Sequence, residues 1–150
     1  MRDIRSFSGP MADWPQVEAV DGALDTLEYL GRSWQIALAT NAVDSTESQI
    51  RNALRRVGLD VLIDKIYCYR RTGHAKPSPE FFGYILDDLQ LNSSQVIMIG
   101  DSFENDVLGA NRVGIFGIWL NPGAGERTSL THRTIHHLRM LPAALPSLDD

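Results

Sequence analysis

Residues 97–110 read IMIGDSFENDVLGA, a short apolar run that ends at Gly100, followed at once by Asp101 and, five positions on, by Asp106. With Val96 in front, the run has no polar alternation, the pattern of a strand buried on both faces. Such strands belong to parallel sheets, where ligands gather beyond the carboxyl ends of the strands. Asp101 and Asp106 therefore stand where chemistry is expected. Three readings compete: hard oxygen ligands for a cation such as magnesium, a Gly-Asp-Ser esterase block with Ser102 as nucleophile, or two acids that only start a helix.

Outward from this stretch the hydrophobic period switches repeatedly. DGALDTLEYLGR (21–32) sets Leu24, Leu27 and Leu30 on a helical stripe and feeds the compact run IALAT (36–40), a buried strand. STESQIRNALRRVG (45–58) opens on cap-type Ser45 and Thr46, carries Ile50, Ala53, Leu54 and Val57 on one face, and stops at Gly58. KIYCY (65–69) reads as a strand. SPEFFGYILDDLQL (78–91) begins with a Ser-Pro helix start and buries Phe81, Phe82, Ile85, Leu86 and Leu89. The pattern then predicts a helix over 105–113, a strand in IFGIWL (115–120), a loop over 121–133, and short helical turns in TIHHLRML (134–141) and PAAL (142–145). This alternation implies an α/β fold, a parallel sheet with helices on both faces, in one core domain over 17–150. Residues 1–16 are weakly specified.

Composition narrows the function classes. The chain has 150 residues, 43% of them hydrophobic, enough for one core. With 14 basic residues against 19 acidic and a net charge of −5, it offers no electrostatic footprint for nucleic acid. Cys68 is the only cysteine, so neither an intrachain disulfide nor a cysteine-rich zinc cluster can form. No apolar run reaches the length of a membrane span or a leader, and the expectation is a cytoplasmic protein with no membrane partner.

Polar residues just past each apolar run are the site candidates. Thr40 closes IALAT and Asn41 follows it, and a hydroxyl with free amides there suits a phosphoryl oxygen, although a threonine that merely caps the next helix fits too. Lys76, in the proline-bounded turn HAKPSPEFF (74–82), is confined to one region; the bland alternative is solvated surface. Asp101 and Asp106 are spaced to approach one cation from a loop and a helix start.

Taken together, DGALDTLEYL, IALATNA, HAKPSPEFF and IMIGDSFENDVLGANRVGIFGIWLNPG resemble the second to fourth motifs of the haloacid dehalogenase-like hydrolase superfamily, over roughly residues 17–145. The resemblance implies a Rossmann-like sheet and a magnesium-dependent phosphohydrolase acting on a small phosphorylated molecule. It assigns Thr40, with Asn41, to the transferring phosphoryl group, and Lys76 to neutralising nucleophile and phosphate. It makes Asp101 a magnesium ligand, with Asp106 holding or orienting the metal's waters.

The family's first motif is an Asp-x-Asp pair whose first member is the nucleophile and whose second is the general acid and base. None of the thirteen aspartates here has another two positions away. By resemblance the sheet lacks its usual first strand, MADWPQVEAVDGALDTLEYL (11–30) is the end of a helical cap, and the chain matches the C-terminal portion of a longer enzyme. Natural truncation, a late start and a fragment remain open. Family-type turnover is expected to be lost and magnesium binding weak or lost. The slot between the strands ending at Thr40 and Gly100 is expected to close by rearrangement, by the N-terminal segment, or by a second copy in a homo-oligomer.

Two other classes stand beside this one. A non-catalytic binding or interaction module accounts for the missing motif. The esterase reading asks for an Asp-x-x-His partner, and none of His74, His132, His136 or His137 has an aspartate three positions before it. His136 and His137, adjacent on a helix, do not chelate, while Trp34, Trp119, Phe81 and Phe82 read as core.

Overall fold

The computed structural model describes residues 23–41, 44–121, 123, 125–127, 129 and 132–145; the segment 1–16 and the start of the core domain at 17 lie outside them. The described elements run α1 (Ala23–Leu30), β1 (Ala37–Ala39), α2 (Glu47–Arg56), β2 (Lys65–Tyr67), α3 (Tyr69–Thr72), α4 (Pro79–Leu89), β3 (Ile97–Gly100), α5 (Gly109–Asn111), β4 (Phe116–Leu120), β5 (His132–Ile135) and α6 (Leu141–Ala144). Local signals start and stop them. Thr46 caps α2 through a reciprocal capping box with Gln49, and Pro79 takes the first turn of α4. Gly58, just past α2, adopts φ 76°, a conformation that costs glycine nothing.

All strand pairs are parallel. β1 pairs with β2 in the register Ala37 to Lys65 and Ala39 to Tyr67. β3 pairs with β4, Gly100 opposite Trp119, and β4 with β5, Gly117 opposite His132. Among the described residues these form two sheets, in the orders β1-β2 and β3-β4-β5.

Strand alternation then sorts side chains into two cores. Leu38, Ile66, Ile97, Ile99, Ile118, Leu120 and Ile135 join α1, α2 and α6 on one face. Ala37, Ala39, Tyr67 and Met98 meet Phe81, Phe82, Ile85 and Ala110 on the other. Each cluster draws on both sheets, which gives three layers, α/β/α. Phe81 and Phe82 are essentially solvent-free, and each contributes about 1.5–3 kcal/mol by burial.

The expected loop over 121–133 and helical turns from 134 are corrected by β5. His132 to Ile135 form a strand, because Thr134 and Ile135, both β-branched, find a ready ladder along Trp119 and Leu120. Helical turns begin only at Leu138. The helix expected over 105–113 starts earlier, as a π-helical turn Phe103–Leu108 that runs into α5.

The outer side of β2 is covered by charge. Asp88 accepts from Tyr67 Oη at 2.6 Å, Lys65 Nζ at 3.0 Å and Arg71 Nη2 at 3.3 Å, and Arg71 also reaches Glu47 at 2.8 Å. Polar cover of this kind keeps a strand edge from pairing with another chain. Burial, and then the bond to Asp88, push the Tyr67 hydroxyl far above its ordinary pKa. Hydrogen bonds from Tyr67 and then Lys65 hold the Asp88 carboxyl below its usual range.

A depressed folded-state pKa means that the contribution of Asp88 is fully present above the unfolded aspartate value, about 3.9, and is lost as pH falls through the lowered folded value. Urea unfolding of wild type and Asp88→Asn across pH 2–7 is expected to show a constant stability gap at the upper end that narrows below about pH 4. A gap independent of pH would show that the carboxylate charge plays no part.

Candidate functional site

The site is assembled where three loops leave the carboxyl ends of the strands. Past β1 the chain stays extended, the Thr40 N–H donating to Tyr67 O at 2.9 Å. The next residue, Asn41, binds across 35 residues of sequence: its Nδ2 donates to Lys76 O at 3.0 Å, and its Oδ1 accepts from Lys76 N at 2.8 Å. With its backbone clamped on both sides, Lys76 turns inward. Its ammonium donates to Ala39 O at 3.0 Å and to Asp106 Oδ1 at 2.8 Å, and both partners of this ion pair have fully buried side chains. The sequence leaves Lys76 open between a site residue and solvated surface; its side chain is buried, so it is not solvated surface. Thr40 is fully buried beside it.

Asp106 is anchored a second time. Its Oδ2 accepts from Ser102 N at 3.1 Å, while its own N–H donates to Ser102 O at 2.9 Å. Ser102 Oγ caps the turn by accepting from Asn105 N at 3.2 Å. The helix-start role thus falls to Ser102, and Asp106 lies inside the turn. Among the described residues no histidine is hydrogen-bonded to Ser102.

Close packing makes this burial possible. A Cβ on Gly100 would overlap the Asp106 carboxylate, and one on Gly117 would meet Val107 Cγ1 at 2.9 Å. Segment 103–111 therefore lies in a shallow trough of two glycines, with Asp106 over one and Val107 over the other. Its π-helical turn fits the frequent occurrence of such turns at functional sites.

Asp101, one residue past the strand, is exposed, and its backbone carbonyl accepts from the Trp119 indole at 3.1 Å. The two aspartates thus differ in kind: one faces water, the other is sealed against an ammonium. Two carboxylates of hard oxygen suit magnesium, which typically takes one or two such groups and completes its octahedron with waters and substrate oxygens. Among the described residues no three His, Cys, Asp or Glu side chains converge as a metal cage.

A parallel α/β sandwich in which Thr40, Asn41, Lys76 and Asp106 gather beyond the strand ends has a Rossmann-like fold with a polar strand-end cluster. The model of the haloacid dehalogenase-like hydrolase family matches residues 3–120, and the chain belongs to that family. Among curated relatives, a pyrimidine 5'-nucleotidase of Escherichia coli is 30% identical over 126 residues, 80% of this chain and 55% of its own length. A ribulose-1,5-bisphosphate 5-phosphatase of Halopiger xanaduensis is 33% identical over 108 residues, 71% of this chain and 44% of its own. The chain thus spans about half the length of the curated relatives it matches.

Among solved structures, an uncharacterized protein of Listeria monocytogenes superposes with a TM-score of 0.80 at 27% identity, covering 93% of this chain and 95% of that one. A HAD-hydrolase of Bacillus subtilis bound to magnesium gives 0.72 at 26% identity, covering 85% and 55%.

Two contacts at the candidate site escape a reading of the sequence. The Asn41 clamp on Lys76 joins residues far apart in sequence, and no local pattern announces it. Trp119, expected as core, is only partly buried and touches the Asp101 backbone. Its signal is its place two residues after Gly117, on the strand face that receives segment 103–111.

The buried pair yields a stability test. Lys76→Met leaves Asp106 without its cation and is expected to cost about 3–5 kcal/mol in urea unfolding. The double variant Lys76→Met/Asp106→Leu is expected to cost clearly less than the sum of the single changes. Simple additivity would mean that the two charges are uncoupled.

Proposed function

We propose that this chain carries the phosphate- and magnesium-binding part of a phosphohydrolase site for a small phosphorylated molecule, and that alone it does not turn that substrate over. The observation that carries the reading is the buried Lys76–Asp106 pair, which also takes in Ala39 O and so draws the ends of β1, of the 73–77 turn and of β3 to one point. In this reading Thr40 and Lys76 face the phosphoryl oxygens, while Asn41 acts chiefly by fixing the Lys76 backbone. Asp101 supplies the outward carboxylate for magnesium, and Asp106, with both oxygens already engaged, acts through water. The metal would supply charge neutralisation at the phosphoryl group.

Support comes from the family match and from relatives named as phosphatases and nucleotidases. The lack of turnover follows from chemistry. The sequence holds no Asp-x-Asp pair, and groups that position and neutralise do not replace a nucleophile. A cytoplasmic setting is consistent with the single cysteine, and no described helix is long and apolar enough to cross a membrane. β1 and β3 share no ladder among the described residues, which keeps self-association within the proposal, with sedimentation as its check.

Titration with millimolar magnesium is expected to shift the amides of Gly100, Ser102 and Asn105. Asp101→Asn is expected to remove most of that response and Asp106→Asn to reduce it, while p-nitrophenyl phosphate stays unhydrolysed. Identical spectra with and without the ion would reduce the acids to local structure. Turnover abolished by Asp101→Ala would overturn the claim of inactivity.

A further inference from the structure

We propose that Trp119 is a positioning residue for Asp101, an inference that rests on the metal reading above. β3 ends at Gly100, opposite Trp119, so the Asp101 carbonyl lies just past the last residue of the ladder. There the chain turns from strand into the 103–108 turn while its side chain faces water. The indole Nε1–H donates to that carbonyl at 3.1 Å, tying the peptide that carries the outward carboxylate to the adjacent strand. A carboxylate on a tied backbone loses less freedom when it takes up a cation than one on a loose turn, which is how outer partners tune ligands they do not touch.

The indole is itself held, so the donor is presented at a fixed point. Phe103 packs edge-on against Trp119, ring centres 5.1 Å apart at 70°, and also against His132 at 5.3 Å and 88°. Arg127 covers the Phe103 ring at 5.6 Å and is anchored to Glu104 at 2.7 Å. The cluster therefore draws on β4, β5, the turn after Asp101 and the loop beyond β4. Edge-to-face geometry of this kind fixes ring orientation as well as burying area.

The test uses magnesium chloride alone, followed by backbone amide and indole resonances of the full chain. In wild type the Trp119 Nε1–H signal is expected to shift along the same binding curve as the Ser102 amide. Trp119→Phe keeps a ring against Phe103 but removes the donor, and is expected to weaken magnesium binding by roughly tenfold, the lower end for loss of an outer partner. Ile135→Val, on the opposite sheet face, lowers stability without touching Asp101 and is expected to leave the affinity unchanged.

Equal affinity in wild type and Trp119→Phe would overturn the proposal and leave Trp119 as packing. If the Phe variant does not fold, a wild-type indole signal that stays still while Ser102 shifts overturns it equally. Silence of every resonance in wild type sinks the metal reading and this inference together, an outcome distinct from the other two.

Discussion

The arrangement turns on one ammonium taken out of water. Lys76 is placed by two backbone hydrogen bonds from Asn41, and its charge is met by Asp106 while Ala39 O accepts a further hydrogen bond. These contacts come from three separate loops, so the pair fixes the mutual positions of the ends of β1 and β3, which share no ladder among the described residues. Beneath it the two apolar clusters run through both sheets and hold them by area burial, which is strong but nondirectional. Hydrophobic burial brings the sheets together, and the ion pair ties the carboxyl ends of β1 and β3 to each other.

That division has a steric precondition in two glycines. Because Gly100 and Gly117 present no side chain, segment 103–111 approaches the sheet closely enough for Asp106 to be sealed off. One turn earlier, Asp101 emerges at the rim in contact with water. Two acids five positions apart thus acquire opposite environments from strand geometry alone. The buried one holds the lysine, and the exposed one is the carboxylate that the proposed reading assigns to magnesium.

Much of this was legible in the residues because the signals are local. Thr46 with Gln49, Ser78 with Pro79, and the unbroken apolar run before Gly100 each specify their element within a few positions, and all three elements form where expected. The candidates Thr40, Asn41, Lys76 and Asp106 also fall together, since Thr40, Asn41 and Asp106 come after strand ends and Lys76 turns in from the loop between α3 and α4. What escaped depends on partners distant in sequence. β5 is too short and polar to show a period, and it exists because β4 offers it a ladder. The Asn41 clamp and the Asp88 cluster likewise join residues 17 to 35 positions apart. The absence of Asp-x-Asp needed no structure, because it is a property of the sequence itself.

A buried ion pair is an expensive way to hold two loops. Desolvating a carboxylate and an ammonium costs several kcal/mol each, and apolar residues of similar volume commonly do as well or better for stability. What apolar packing does not provide is oriented charge. In the proposed site, Lys76, Asp106 and Asp101 together carry a net negative charge, which repels a phosphate. A divalent cation beside Asp101 reverses that sign and leaves a net positive centre whose fixed donors need little reorganisation to receive an anion. Anion binding is then linked to the cation by electrostatics, and the buried pair keeps the lysine in place whether or not the cation is bound. On this view the pair is retained for the geometry of a binding site, and the stability of the domain rests on the two apolar faces of its sheet.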